Sequence, residues 1–196
     1  MGQTTLRDLM ALPTSPAPLS DSALIMIDCQ NTYTQGVMEL DGVQNALDVG
    51  AELLDKARGL GVPVLHIVHD AGEGSPYDVN AEIGQIADKV APRDGEPVII
   101  KNFPNSFVGT DLDDQLKALG KTNLVVAGFM THMCVNSTAR GAFNLGYSPA
   151  VVASATATRS LPGAGGVEAD ALQVASLAAI ADLFGLVVPD VAAIPE

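Results

Sequence analysis

The chain has 196 residues, 47 % of them hydrophobic, enough for one domain with a sizeable core and with no unbroken apolar run of membrane-spanning length. Ten Lys and Arg against 23 Asp and Glu leave a net charge of −13, which repels phosphate backbones and anionic lipid. Nucleic acid and membranes are therefore set aside as partners.

The start, "MGQTTLRDLM", has no basic region followed by an apolar stretch, and Leu6 stands where myristoylation wants Ser or Thr. Two cysteines, Cys29 and Cys134, make no disulfide framework, so a reducing cytoplasm is expected. Residues 1–22 read as a short helical arm with a Pro/Ser-rich lead-in, ahead of a domain over 23–190. A repeating pattern follows: a short β-branched run, a turn, a helix-length segment. "ALIMID" (23–28) leads to a helix over 44–60; "PVLHIVH" (63–69) and "PVIIK" (97–101) are the next strands. "DLDDQLKAL" (111–119) is a helix opened by acids and closed by Gly120. "NLVVAG" (123–128), a helix over 134–145, "PAVVAS" (149–154), a helix over 167–184 and "LVV" (186–188) complete the series. Six such runs alternating with helices predict an α/β fold, a six-stranded parallel sheet covered on both faces.

Ligands of open α/β sheets bind beyond the carboxyl ends of the strands, where the strand order reverses. With the order 3-2-1-4-5-6, the reversal lies between the first and fourth strands. The first ends in Asp28, the third in Lys101, and the fourth runs out into "GFMTHMC", which ends in Cys134. A carboxylate, an ammonium and a thiol are thus expected around one crevice. Each has a plainer reading alone: Cys134 as a packing thiol, Asp28 as a turn cap, Lys101 as a surface strand end.

Three segments in order, "LIMIDCQNTY", "IIKNFPNSFVGTDLDDQLKALG" and "LVVAGFMTHMCVNSTARGAFNLGY", resemble the isochorismatase-like cysteine hydrolases over about residues 21–188. That resemblance implies a catalytic triad of Asp28, Lys101 and Cys134. It also implies a cis peptide at Phe129–Met130, with the amides of Met130 and Cys134 as the oxyanion hole. The chemistry suits these roles. A helix start and a nearby ammonium favour a thiolate, so Cys134 is expected to titrate below a free thiol. Asp28 can take a thiol proton and return one to a leaving amine. Lys101 can hold Asp28 and the thiolate or, as an alternative, orient the substrate. Gln30 and Tyr33 match the family's opening after the strand-one Asp, which puts them with Phe103 and Phe107 among the candidate substrate-binding residues. Cys29 should point the other way, into the core.

No cofactor is called for, and no metal. Nicotinamidases of the same superfamily carry histidines after strand one, whereas "NTYTQGVMELDGV" has none. His66 and His69 fall on opposite faces of one strand, and His132 is alone in its loop. The leading expectation is a metal-free thiol amidohydrolase acting on a small amide, lactam or carbamoyl group. A vinyl-ether hydrolase, in which the cysteine position is typically a small residue, and a non-catalytic binding module are the rivals. "DCQNTYTQG" is no phosphate cradle, which argues against a dinucleotide enzyme. The resemblance further implies a homodimer or homotetramer.

Overall fold

The computed structural model describes residues 4–196, so the first three residues of the expected arm lie outside the described residues. Six strands form one sheet: β1 (Ser22–Ile27), β2 (Val64–His69), β3 (Val98–Lys101), β4 (Asn123–Phe129), β5 (Ser148–Ala157) and β6 (Leu186–Val188). All neighbours pair in parallel, in the order β3-β2-β1-β4-β5-β6. The expected architecture and strand order both hold.

The connecting helices are α1 (Leu6–Leu9) in the arm, α2 (Val43–Gly59), α3 (Leu112–Ala118), α4 (Asn136–Asn144) and α5 (Ala169–Ala179). Parallel strands need such crossovers, and the crossovers explain why β1 is buried along its whole length. Alternate β1 side chains serve different cores. Leu24 and Met26 pack with Leu47, Leu53 and Leu54 of α2 on one face. Ala23, Ile25 and Ile27 pack with Leu112 and Leu116 of α3 and with Ala139 and Ala142 of α4 on the other. Leu53 and Leu54 are fully enclosed, a burial of about 1.5–3 kcal/mol for each side chain. No helix among the described residues is long and apolar enough to cross a membrane.

The structure departs from the sequence-based bounds in ways that shape the site. β1 stops at Ile27, so Asp28 is the first residue past the strand. β5 runs on to Ala157 because its pairing with β4 shifts register between Val126 and Gly128, carrying the chain further up the sheet. Both long helices are interrupted. The one expected over 134–145 is a π-helical turn, Thr131–Val135, followed by α4; the one over 167–184 is α5 followed by a second π turn, Ile180–Phe184. Such turns are rare and tend to occur at functional sites.

Candidate active site

Three strand ends converge. Asp28 turns away from β1 with φ of +48°, a left-handed conformation that aspartate tolerates better than most residues, while its N–H stays bonded to Ile67 O at 2.9 Å. Lys101 closes β3, and Cys134 lies in the π turn beyond β4. Lys101 Nζ stands 2.7 Å from Asp28 Oδ2 and 3.4 Å from Cys134 Sγ. Asp28 and Lys101 are both 0 % exposed and Cys134 is 5 % exposed. The contact with Oδ2 is a charge pairing rather than an aligned hydrogen bond, and Oδ1 is a buried acceptor with no partner among the described residues. Gly128 lets β4 come this close: it has φ of +116°, and a Cβ there would lie 1.9 Å from Ile27 O.

Burial sets the protonation. It pushes the Asp28 carboxyl up, against the pull of the Lys101 ammonium. The Cys134 thiol is pushed up to about 12, first by burial and then by the Asp28 charge, with Lys101 opposing. Desolvation thus runs against the expected thiolate, and the Lys101 ammonium favours it. Cys29 faces the other core, its Sγ 3.7 Å from Ile27 O, and burial raises its pKa as well.

The loop into the π turn contains a cis peptide at Phe129–Met130. Met130 O accepts from the N–H groups of Met133 at 3.0 Å and Val135 at 3.3 Å. The Met130 N–H has no acceptor among the described residues, so it is free to donate to a ligand. The turn is tied to the extended end of β5 by Thr131 Oγ1 donating to Ala157 O at 3.0 Å and by His132 Nδ1 lying 2.6 Å from Thr158 Oγ1.

The remaining predicted residues divide. Tyr33 is buried edge-on to Phe129 and to Tyr77, with ring centroids 5.8 Å apart in each pair. Burial raises its pKa first, and the Asp28 charge adds to that. Gln30 is occupied by the backbone: Nε2 donates to His69 O at 2.9 Å and Gly84 O at 2.6 Å, and Oε1 accepts from His69 N at 3.0 Å. Both amide protons are used, so Gln30 fixes the exit of β2 and leaves neither proton for a substrate. Phe103 is 56 % exposed, and Phe107 stacks on Tyr147, the residue just before the start of β5, with centroids 5.6 Å apart. No hydrogen bond or ring contact joins either phenylalanine to the triad among the described residues.

Two further residues stand at the site: His69, expected either to touch substrate at the rim or to pack at the strand end, and Tyr77, which was not singled out. His69 Nδ1 lies 3.4 Å from Lys101 Nζ, and Tyr77 stands edge-on to His69 with centroids 5.1 Å apart. A signal for His69 existed: in the order 3-2-1, the last residue of β2 must sit between the ends of β1 and β3. Of the other histidines, His66 faces Glu96 at 3.0 Å and His132 faces Thr158. Among the described residues no three His, Cys, Asp or Glu gather as a metal-ligating group.

Residues 22–189 match the family model described as "Isochorismatase domain". The chain belongs to the isochorismatase family. Within the family it is 34 % identical over 186 residues to the secreted isochorismatase effector Isc1 of Verticillium dahliae, covering 94 % of this chain and 96 % of that protein. It is 30 % identical over 187 residues to ureidoacrylate amidohydrolase RutB of Agrobacterium fabrum, covering 75 % and 82 %. A crystal structure of an isochorismatase from Pseudomonas putida superposes with a TM-score of 0.93 at 38 % identity, over 96 % of this chain and 97 % of that one. The strand order is that of the isochorismatase fold.

Proposed function

We propose that this isochorismatase-family hydrolase is a metal-independent cysteine hydrolase that cleaves a C–N bond of a small amide, lactam or carbamoyl substrate through a thioester on Cys134. The observation that carries the reading is the placement of Lys101 Nζ between Asp28 Oδ2 at 2.7 Å and Cys134 Sγ at 3.4 Å, in a nearly closed site. In the first half-reaction Sγ attacks the substrate carbonyl while the Asp28 carboxylate takes the thiol proton. The carbonyl π pair moves onto oxygen, where the Met130 and Cys134 N–H groups stabilise it; one such donor is worth roughly 3–4 kcal/mol. The tetrahedral species collapses, the C–N bond breaks, and the protonated Asp28 gives its proton to the departing nitrogen. Water then attacks the thioester, with Asp28 taking its proton, and the acid leaves as the thiol reforms.

The raised pKa of the thiol supports this order of events, since base and nucleophile then act together on arrival of the carbonyl. The amidohydrolase among the relatives supports the bond type. A vinyl-ether hydrolase has no use for a buried thiol paired with a lysine, and a binding module has no use for the triad. The reading calls on no metal or cofactor. It places the protein in the cytoplasm, for which its two free cysteines on opposite faces of the sheet are compatible, although one relative is described as secreted. It also carries assembly as a homodimer or homotetramer, and Val174 of α5 and Met133 of the π turn are exposed apolar residues that such assembly would cover.

The test is interception. With a panel of small amides, hydroxylamine added during turnover should yield a hydroxamate, and rapid quenching should leave the acyl mass on the Cys134 peptide. Cys134→Ala should lose turnover and trapping together. A genuine substrate hydrolysed at near-normal rate by Cys134→Ala would end the thiol reading.

A further inference from the structure

The surroundings of Lys101 contain one group that the proposed reaction leaves without a role. Lys101 is enclosed, and three groups stand around its Nζ: Asp28 Oδ2 at 2.7 Å, Cys134 Sγ at 3.4 Å and His69 Nδ1 at 3.4 Å. An ammonium has three protons to give and accepts none. Cys134 Sγ and His69 Nδ1 are the two hydrogen-bond contacts of Nζ, and Asp28 Oδ2 adds a charge pairing.

His69 is built to hold this place. It is the last residue of β2 and lies directly opposite Lys101 in the ladder. Its main chain is held at both ends by the Gln30 amide, and its ring is held edge-on to Tyr77 at an interplanar angle of 83°. An ammonium offers only donors, so a hydrogen bond at this contact requires a bare Nδ1, with the single ring proton on Nε2. The charged and titratable groups around the ring are Lys101 and, opposing it, Asp28 and Asp70, with Tyr77 against its face. Burial comes first and Lys101 second in keeping the ring neutral.

We propose that His69 is a positioning residue: its unprotonated Nδ1 accepts a proton of Lys101, fixing the ammonium between Asp28 and Cys134 and withholding it from the substrate. The proposal rests on the thiol-hydrolase reading for its catalytic consequence, and on the geometry alone for the tautomer. It removes substrate orientation from the roles open to Lys101 and leaves that work to the backbone donors.

Two measurements on the intact protein test it. Nitrogen NMR of histidine-labelled protein at neutral pH should find His69 with Nε2 protonated and Nδ1 bare; a proton on Nδ1 would overturn the proposal, whatever the substrate. With a substrate whose turnover depends on Cys134, His69→Leu should lower kcat by about 10²-fold with a smaller change in KM, the scale of a misplaced catalytic group. His69→Asn, whose Oδ1 can stand in for Nδ1, should recover to within about tenfold of the native rate and should lose the acid limb that His69 protonation gives the native pH profile. Equal loss in both variants, or loss in neither, refutes the role. If His69→Leu fails to fold, the tautomer and the pH profile of His69→Asn decide. Turnover that survives Cys134→Ala would instead overturn the thiol reading and leave the tautomer measurement standing.

Discussion

Lys101 and Asp28 form a fully enclosed ion pair, and burial penalises both charges. Removing one partner of such a pair is far worse than never having had it, since the other is left charged in a medium that cannot solvate it. Lys101→Met should therefore lower stability by about 3–5 kcal/mol at neutral pH, measured by urea unfolding. The sign of its pH dependence follows. Burial already raises the Asp28 carboxyl, and losing the ammonium raises it further, so the folded variant binds that proton more tightly than the unfolded chain does. Its deficit is full above the folded pKa and shrinks as pH falls toward the ordinary carboxylate range of about 4. Asp28→Asn in the same chain should restore most of the loss at neutral pH. A deficit that stays constant with pH would mean that lost packing of the lysine stem, rather than charge, is responsible.

At the next scale, the ends of β1 and β4 meet at Gly128. The space its Cβ would need is occupied by Ile27 O, one residue before Asp28. Gly128→Ala must move one strand end, and either movement displaces Asp28 or the turn that carries Cys134. The expected outcome is a loss of about 3 kcal/mol or more, with turnover falling further than the loss of folded protein explains. Gly36→Ala is the control: its φ is also positive, at +72°, but nothing lies within 4 Å of the added methyl. It should cost only about 1–2 kcal/mol in denaturant titrations and leave turnover per folded molecule intact. Equal effects from the two substitutions would show that backbone conformation alone matters at Gly128.

The same contrast explains what could be read from the sequence. The strands announce themselves by apolar runs between helical segments, and a parallel order puts their last residues at one end. Asp28, Lys101 and Cys134 were thus visible as strand-end residues. What depends on register and packing was not. The extension of β5 comes from a shift in its pairing with β4, and the alternation in "SATAT" is too weakly apolar to mark a strand by itself. The saturation of Gln30 depends on where the 82–84 loop passes, and the stacking of Phe107 on Tyr147 on where the chain turns after β3. The burial of Cys134 is of the same kind: a turn near a helix start is visible in sequence, whereas the depth of burial that opposes its effect on the thiol is not.

Over the whole molecule, the sheet distributes its support unevenly. β1, which carries Asp28, and β4, which leads to Cys134, are the central pair, flanked on both sides and covered by helices. Lys101 instead hangs from β3, a four-residue strand at the rim, with Val98 and Ile100 showing 46 % and 52 % of their surface to solvent. Rim strands with one neighbour and little covering are the segments that open first under native conditions, without the core taking part. The ammonium that lies between Asp28 and Cys134 thus hangs from one of the two rim strands of the sheet. Amide hydrogen exchange should find β3 opening at a lower free energy than β1 or β4, and in urea activity should fall before the far-ultraviolet circular dichroism of the sheet does. Coincident loss of the two signals would show that β3 is locked into the core's cooperative unit. If they separate, the enzyme switches off by fraying at its edge while most of its fold is still intact, and recovers as soon as one short strand returns.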